Sequence, residues 1–139
     1  MQAIKLTIPG EFWDSYLYEG LLYLFLLDGS VKSYRWDDLS SALLIAEPER
    51  LAFDIAFQQS SLLYQDSQAR LASDREIKTV IFDKFSRLSR VNLVAGRNAL
   101  DSILYRQQDN IFPFPHTDIE IYNKKIYVSS KAGIFKSTC

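Results

Sequence analysis

Along the first forty residues, apolar and polar positions alternate in short runs broken by glycine and proline. Ile4, Leu6 and Ile8 share one face of an extended segment that Pro9-Gly10 ends. Trp13 to Tyr18 forms a second run, closed by a turn at Glu19-Gly20. Leu21 to Leu27 is apolar throughout, which suits a strand buried on both faces. Asp28-Gly29 offers a two-residue hairpin turn, because both residue types accept positive φ. Val31 to Trp36 alternates once more, with Val31, Ser33 and Arg35 set against Lys32, Tyr34 and Trp36. The pattern predicts a β-meander over residues 1–39.

From Ser40 the period lengthens. Pro48 fits the first turn of a helix, where its missing N–H costs nothing. Leu51, Ile55 and Leu62, with Ala52, Ala56 and Phe57, mark a helix face running to about Tyr64. Ser73-Asp74-Arg75-Glu76 reads as a capping box opening a second helix. Its apolar residues Ile77, Val80, Ile81, Phe85 and Leu88 recur every three or four positions. A third helix is predicted over Asn98 to Gln108, after a break at Gly96. Pro113 and Pro115 stiffen an extended connector ahead of His116. Asp118 to Tyr122 and Lys125 to Ser129 then alternate around a turn at Asn123-Lys124, and Ile134-Phe135 opens another strand after Gly133. These elements predict an α+β fold in one domain. An antiparallel sheet from the N-terminal meander and the C-terminal hairpin (110–139) carries a helical insertion (40–109) packed on it.

Composition agrees with a packed core: 47% of residues are apolar and 14% aromatic, far from the signature of disorder. The net charge of −1 gives no global attraction for nucleic acid or anionic lipid. Locally the charge is uneven. Residues 1–67 hold four Lys or Arg against ten Asp or Glu, and residues 68–108 hold eight against four. The longest apolar run has seven residues, too short for a helix across a bilayer, which needs about 20. Cys139 is the single cysteine, so no internal disulfide forms, and a reducing cytoplasm is the expected compartment.

The two ends of the chain repeat one another. Asp14 to Ser33 aligns without a gap on Asp118 to Ser137, 104 positions later. Asp14/Asp118, Tyr18/Tyr122, Tyr23/Tyr127, Gly29/Gly133, Lys32/Lys136 and Ser33/Ser137 are identical, and Leu17/Ile121, Leu22/Ile126, Leu24/Val128 and Val31/Phe135 stay apolar. The strand-turn-strand pattern, with Gly133 before Ile134-Phe135, resembles the hairpin of a β-propeller blade. That resemblance implies an interaction or sensing module forming the N-terminal part of a larger propeller-like protein, its second repeat cut short near Cys139. It covers about fifty residues; blade repeats usually recur every 40–50, so most of the middle would be an insertion. Unpaired, Leu21 to Leu27 would invite a second copy to pair with it, so homodimerisation is also expected.

Candidate chemistry is sparse. His116 is the only histidine, and Asp118, two residues on, would share its face of an extended strand. A His116–Asp118 acid–base pair is the one enzymatic arrangement available; a loop histidine beside a strand-start aspartate is the plainer reading. Asp37-Asp38 and Glu47/Glu49 read as helix-start charges. No residue spacing suggests a metal or a cofactor, and five scattered glycines make no phosphate-binding loop. Arg75, Lys78, Lys84, Arg87 and Arg90 could form a nucleic-acid surface, but Asp83 lies four residues before Arg87 and supports a solvated helix face instead. Tyr16, Tyr18, Tyr34 and Trp36 could stack on bases, although strand aromatics more often serve as core or cross-strand pairs.

Overall fold

Four residues with positive φ set the frame of the β-structure: Glu19 (46°), Gly20 (79°), Asn123 (49°) and Lys124 (58°). Two successive positive φ values define the type I′ turn, whose twist matches that of the strands it joins. The turns predicted at Glu19-Gly20 and Asn123-Lys124 are therefore present.

In the computed structural model, residues 3–43, 45, 47–57 and 66–139 are described. Leu62 and Tyr64, expected at the end of the first helix, lie outside them. The elements in order are β1 (Leu6–Thr7), β2 (Phe12–Tyr18), β3 (Leu21–Leu26), β4 (Val31–Arg35), α1 (Trp36–Ala42), α2 (Glu47–Phe57) and α3 (Asp66–Ser73). They continue as α4 (Arg75–Leu88), β5 (Leu93–Val94), α5 (Arg97–Ser102), β6 (Leu104–Gln108), β7 (His116–Tyr122), β8 (Lys125–Ser130) and β9 (Gly133–Thr138). The fold is α+β. Its residues gather into two compact units, one of Met1–Pro9 with Leu39–Arg97, the other of Gly10–Asp38 with Asn98–Cys139.

The first unit is the helical one. Leu39, Leu43, Ala52, Phe53, Leu88, Leu93 and Ala95 are buried in it. Lys84 Nζ on α4 donates to the Pro48 carbonyl at the start of α2. The cap of α4 is Asp74 rather than Ser73: its Oδ1 accepts the N–H groups of Glu76 (2.9 Å) and Ile77 (3.1 Å). Ser73 instead ends α3, its Oγ donating to Arg70 O. The predicted apolar stripe of α4 is buried only toward its C-terminal end, at Leu88, while Ile77 and Val80 are exposed. The segment around Leu6 is not part of the meander. It pairs in parallel with β5, and Ala95 N–H donates to Thr7 O.

The second unit holds two antiparallel sheets, β2-β3-β4-β6 and β7-β8-β9. Meander and C-terminal strands thus form separate sheets that share one core. The third predicted helix ends at Ser102, and Leu104 to Gln108 is strand β6, paired with β4. Local helical spacing at Leu100, Ile103 and Leu104 is overridden by the ladder that β4 offers. Trp36, expected in a strand, opens α1, its N–H donating to Gly20 O. The apolar β3 is central, paired on both sides, and its interior positions are buried.

The two meanders match residue for residue through their first hairpins. Tyr18 pairs with Leu21, Leu17 with Leu22, Tyr16 with Tyr23, Ser15 with Leu24 and Asp14 with Phe25. Tyr122 pairs with Lys125, Ile121 with Ile126, Glu120 with Tyr127, Ile119 with Val128 and Asp118 with Ser129. Even the bulge recurs, between Phe12 and Asp14 and between His116 and Asp118. The third strands differ by one residue. Val31 pairs with Phe25 and Ser33 with Tyr23, whereas Phe135 pairs with Val128 and Lys136 with Tyr127. The cause is the loop. In the first meander Gly29 N–H donates to Leu26 O and Leu26 N–H to Ser30 O, with Gly29 at φ 82°. This is a three-residue turn with a glycine bulge, not the two-residue turn expected for Asp28-Gly29. The second meander uses the two-residue loop Lys131-Ala132.

Candidate functional site

The shared core of the second unit joins unlike faces of the two meanders. The first contributes Tyr23, Phe25 and Val31, with Tyr16, Tyr18 and Leu21 packed against them. The second contributes Ile119, Ile121, Ile126 and Val128, with Phe135 and Cys139. In the repeat these last correspond to Ser15, Leu17, Leu22 and Leu24, which lie on the opposite face of the first meander. One front meets one back, and two copies of a motif stack in a constant direction. Tyr16 and Tyr18 are thereby core-packing groups, and Tyr34 is buried as well. The surface base-stacking role considered for them has no exposed ring face to use at Tyr34.

A cleft of about 540 Å³ opens beside this core. The two type I′ turns bring Glu19 and Lys124 to it, β6 supplies Tyr105 and Arg106, and Tyr18, Leu21, Tyr23 and Cys139 complete the wall. Backbone and side chains tie it together. Lys124 N–H donates to the Tyr18 hydroxyl (3.4 Å), Cys139 N–H to Lys124 O (3.1 Å) and Arg106 Nη1 to Cys139 O (2.7 Å). The Arg35 guanidinium lies 4.7 Å from the Tyr105 ring centre, a cation–π distance. Burial pushes the Tyr23 phenol well above its ordinary range, and a hydrogen bond with Cys139 and the Glu19 charge push the same way. Near neutral pH Tyr23 is therefore a protonated donor, unsuited to act as a base. The cleft offers the cations Arg106 and Lys124, the Glu19 carboxylate, the Cys139 thiol, tyrosine hydroxyls and aromatic faces.

His116 and Asp118 are not brought together. His116 is buried, and its Nδ1 donates to the Pro113 carbonyl at 2.8 Å, an assignment that follows because a carbonyl only accepts. Its ring is edge-on to Trp13, Phe112 and Phe114, with centroids 5.6 to 6.5 Å away. Asp118 is exposed and its Oδ1 accepts Ile119 N–H at 2.9 Å. The bulge at Thr117 separates them: the shared-face rule needs a regular pleat, and an extra residue breaks it. Asp14 makes the same contact in the first repeat, with Ser15 N–H at 2.7 Å. The identical aspartates are thus bulge residues, a role readable in the repeat only once register is known.

Three basic residues of α4 meet local partners. Arg87 pairs with Asp83, Lys84 bonds Pro48 O, and Lys78 Nζ lies 5.7 Å from the Phe82 ring centre. Arg75 and Arg90 are exposed. Asp37 and Asp38 occupy the first turn of α1, where the helix dipole favours them. Among the described residues no three His, Cys, Asp or Glu side chains converge as a metal site would require. Among them, too, no helix is long and apolar enough to cross a membrane. Comparison with protein-family models, with curated proteins and with solved structures finds no match to this chain.

Proposed function

We propose that this chain is a non-catalytic protein-interaction module, and that it forms the N-terminal part of a larger, cytoplasmic, propeller-like protein. The observation that carries the reading is the stacking of two equivalent meanders through unlike faces. A stack that joins front to back does not close on itself after two units; the far face of the first meander is buried at Leu22, Leu24 and Tyr34, and that of the second is exposed at Glu120, Tyr122 and Lys136. Blade and solenoid architectures grow in this way. The first meander has four strands, as a blade does, with the helical segment inserted between the third and the fourth.

The outward face of the second meander favours a separable partner. Where Tyr16, Leu21 and Phe25 stand in the first meander, Glu120, Lys125 and Ser129 stand in the second, beside Tyr122 and Tyr127. Such a mixed surface resembles non-obligate interfaces, which are about as polar as the rest of a protein surface. The experiment is to read the gene beyond the codon for Cys139. Further copies of Asp-x3-Tyr-x4-Tyr, the spacing of Asp14, Tyr18 and Tyr23, are expected. A stop codon at position 140 would overturn the larger protein.

A further inference from the structure

Among the described residues, the second meander has three strands where the first has four. In the first, β4 is flanked by β3 and β6; in the second, among the described residues, β9 pairs only with β8. The free side of β9 is built like the occupied side of β4. Cys139 N–H donates to Lys124 O. Backbone groups of alternate residues point to opposite sides of a strand, so those of Ile134, Lys136 and Thr138 point away from β8. In the first meander Leu26 N–H donates to Ser30 O and Trp36 N–H to Gly20 O. By the same alternation Val31, Ser33 and Arg35 turn their groups toward β6. These triplets are equivalent by pairing: Val31 and Ile134 stand opposite Phe25 and Ser129, Ser33 and Lys136 opposite Tyr23 and Tyr127, Arg35 and Thr138 opposite Leu21 and Lys125. β6 covers the first two of the first triplet, with Gln108 beside Val31 and Arg106 beside Ser33. The second triplet is uncovered: Ile134 is 79% exposed, and a Cβ on Gly133 would have no atom within 4 Å.

We infer that the free edge of β9 is a strand-acceptor site, which takes an acidic and apolar extended segment of a partner protein as an added antiparallel strand. The inference rests on the interaction reading above and names its partner. The backbone groups supply the affinity, as in other cases of strand addition, and the side chains opposite supply the choice. At the place where β6 sets Arg106 against Ser33, β9 presents Lys136, so a basic residue would meet like charge and an acidic one its complement. Lys125 stands beside Thr138 on the same face and adds a second positive charge. Two residues further along the incoming strand, a β-branched apolar side chain would cover Ile134. A partner segment therefore reads, from its N-terminus, acidic residue, any residue, Val or Ile.

The test titrates the chain with the peptide acetyl-Thr-Thr-Glu-Thr-Val-Thr-amide and follows backbone amides by NMR. The amides of Ile134, Lys136 and Thr138 should shift saturably and gain protection from exchange. Replacing Glu by Lys in the peptide should weaken binding about fivefold, and Lys136→Glu in the protein should reverse that preference. Lys136→Pro removes an outward N–H without breaking the β8 ladder. It should keep the circular dichroism and melting temperature and abolish binding. Should it unfold the protein, Thr138→Pro tests the same edge. Amides on β9 unmoved by millimolar peptide, or binding that survives both proline variants, would overturn the site. Dimerisation without peptide, abolished by Lys136→Pro, would overturn the partner in favour of a second copy. A gene that runs past Cys139 into a segment pairing with β9 would overturn the partner in favour of the chain's own strand, whereas a stop codon at position 140 ends the propeller reading but leaves the peptide result standing, so the two failures can be told apart.

Discussion

Gly29 and Gly133 occupy the same place in the repeat, yet they are required for different reasons. A Cβ on Gly29 would fall 2.0 Å from the Phe112 carbonyl oxygen, and Phe112 N–H donates to Gly29 O at 3.3 Å. A Cβ on Gly133 would meet nothing, so only its φ of 126° resists substitution. Gly133→Ala should therefore lose about 1–3 kcal/mol to backbone strain, and Gly29→Ala should lose more, measured by urea unfolding. Equal losses would contradict the close approach of Phe112. Tyr23 gives a pH-dependent counterpart. Burial first, then the bond with Cys139, raises its phenol, so the folded chain keeps a proton that the unfolded chain releases. That stabilisation is complete below about pH 10 and is lost as pH rises beyond it. Tyr34 is raised too, by burial and by Asp101. Tyr23→Phe should flatten the fall of stability with alkali; an unchanged slope in denaturant titrations between about pH 10 and 12 would refute this assignment. Asp28 has the opposite sign. Hydrogen bonds from Ser30 hold its carboxyl below the usual range, so its contribution disappears only in acid.

Among the elements, α4 begins where one side chain satisfies two backbone donors. Asp74→Ala removes both bonds and should lower stability by about 1 kcal/mol, visible as faster amide exchange at Glu76 and Ile77. Ser73→Ala should leave those amides unchanged. A capping residue was legible here in the sequence, but its position was displaced by one, because Ser73 and Asp74 are both good caps and only tertiary context ends α3 at Ser73. The turns were legible at Glu19-Gly20 and Asn123-Lys124, since Gly20 and Asn123 are turn formers set between runs that read as strands. β6 was not legible. Leu104-Tyr-Arg-Gln-Gln108 carries no strand alternation, and it extends because β4 has an edge to fill, a reason that lies seventy residues away in the chain. The bulge that parts His116 from Asp118 was hidden for a similar reason: register belongs to the pair of strands, and one strand's sequence does not state it.

For the whole molecule, the one-residue difference between the loops governs which way each side chain looks. The sequence repeat aligns Val31 with Phe135 and Lys32 with Lys136 without a gap. In space those partners fall on opposite faces of their meanders, which is how Val31 and Phe135 both reach the same core from two sides. Inserting one residue between Gly29 and Ser30, with the three-residue turn kept, should move the third strand by one place and set Lys32 against Tyr23, as Lys136 now stands against Tyr127. Tyr23 is 3% exposed, so a charge would enter the core, and the loss should be on the order of 3 kcal/mol or more. Loss under 1 kcal/mol on urea unfolding would show that the loop does not set the register. Loop length thus behaves as a parity bit: odd or even decides front or back, whatever residues the third strand carries. Two copies of equal length can thus turn their last strands to opposite faces with no residue gained or lost. Any hunt for further copies should anchor on the Asp-to-Tyr hairpin and its glycine and leave the residues after the glycine free, since those that align in sequence point in opposite directions.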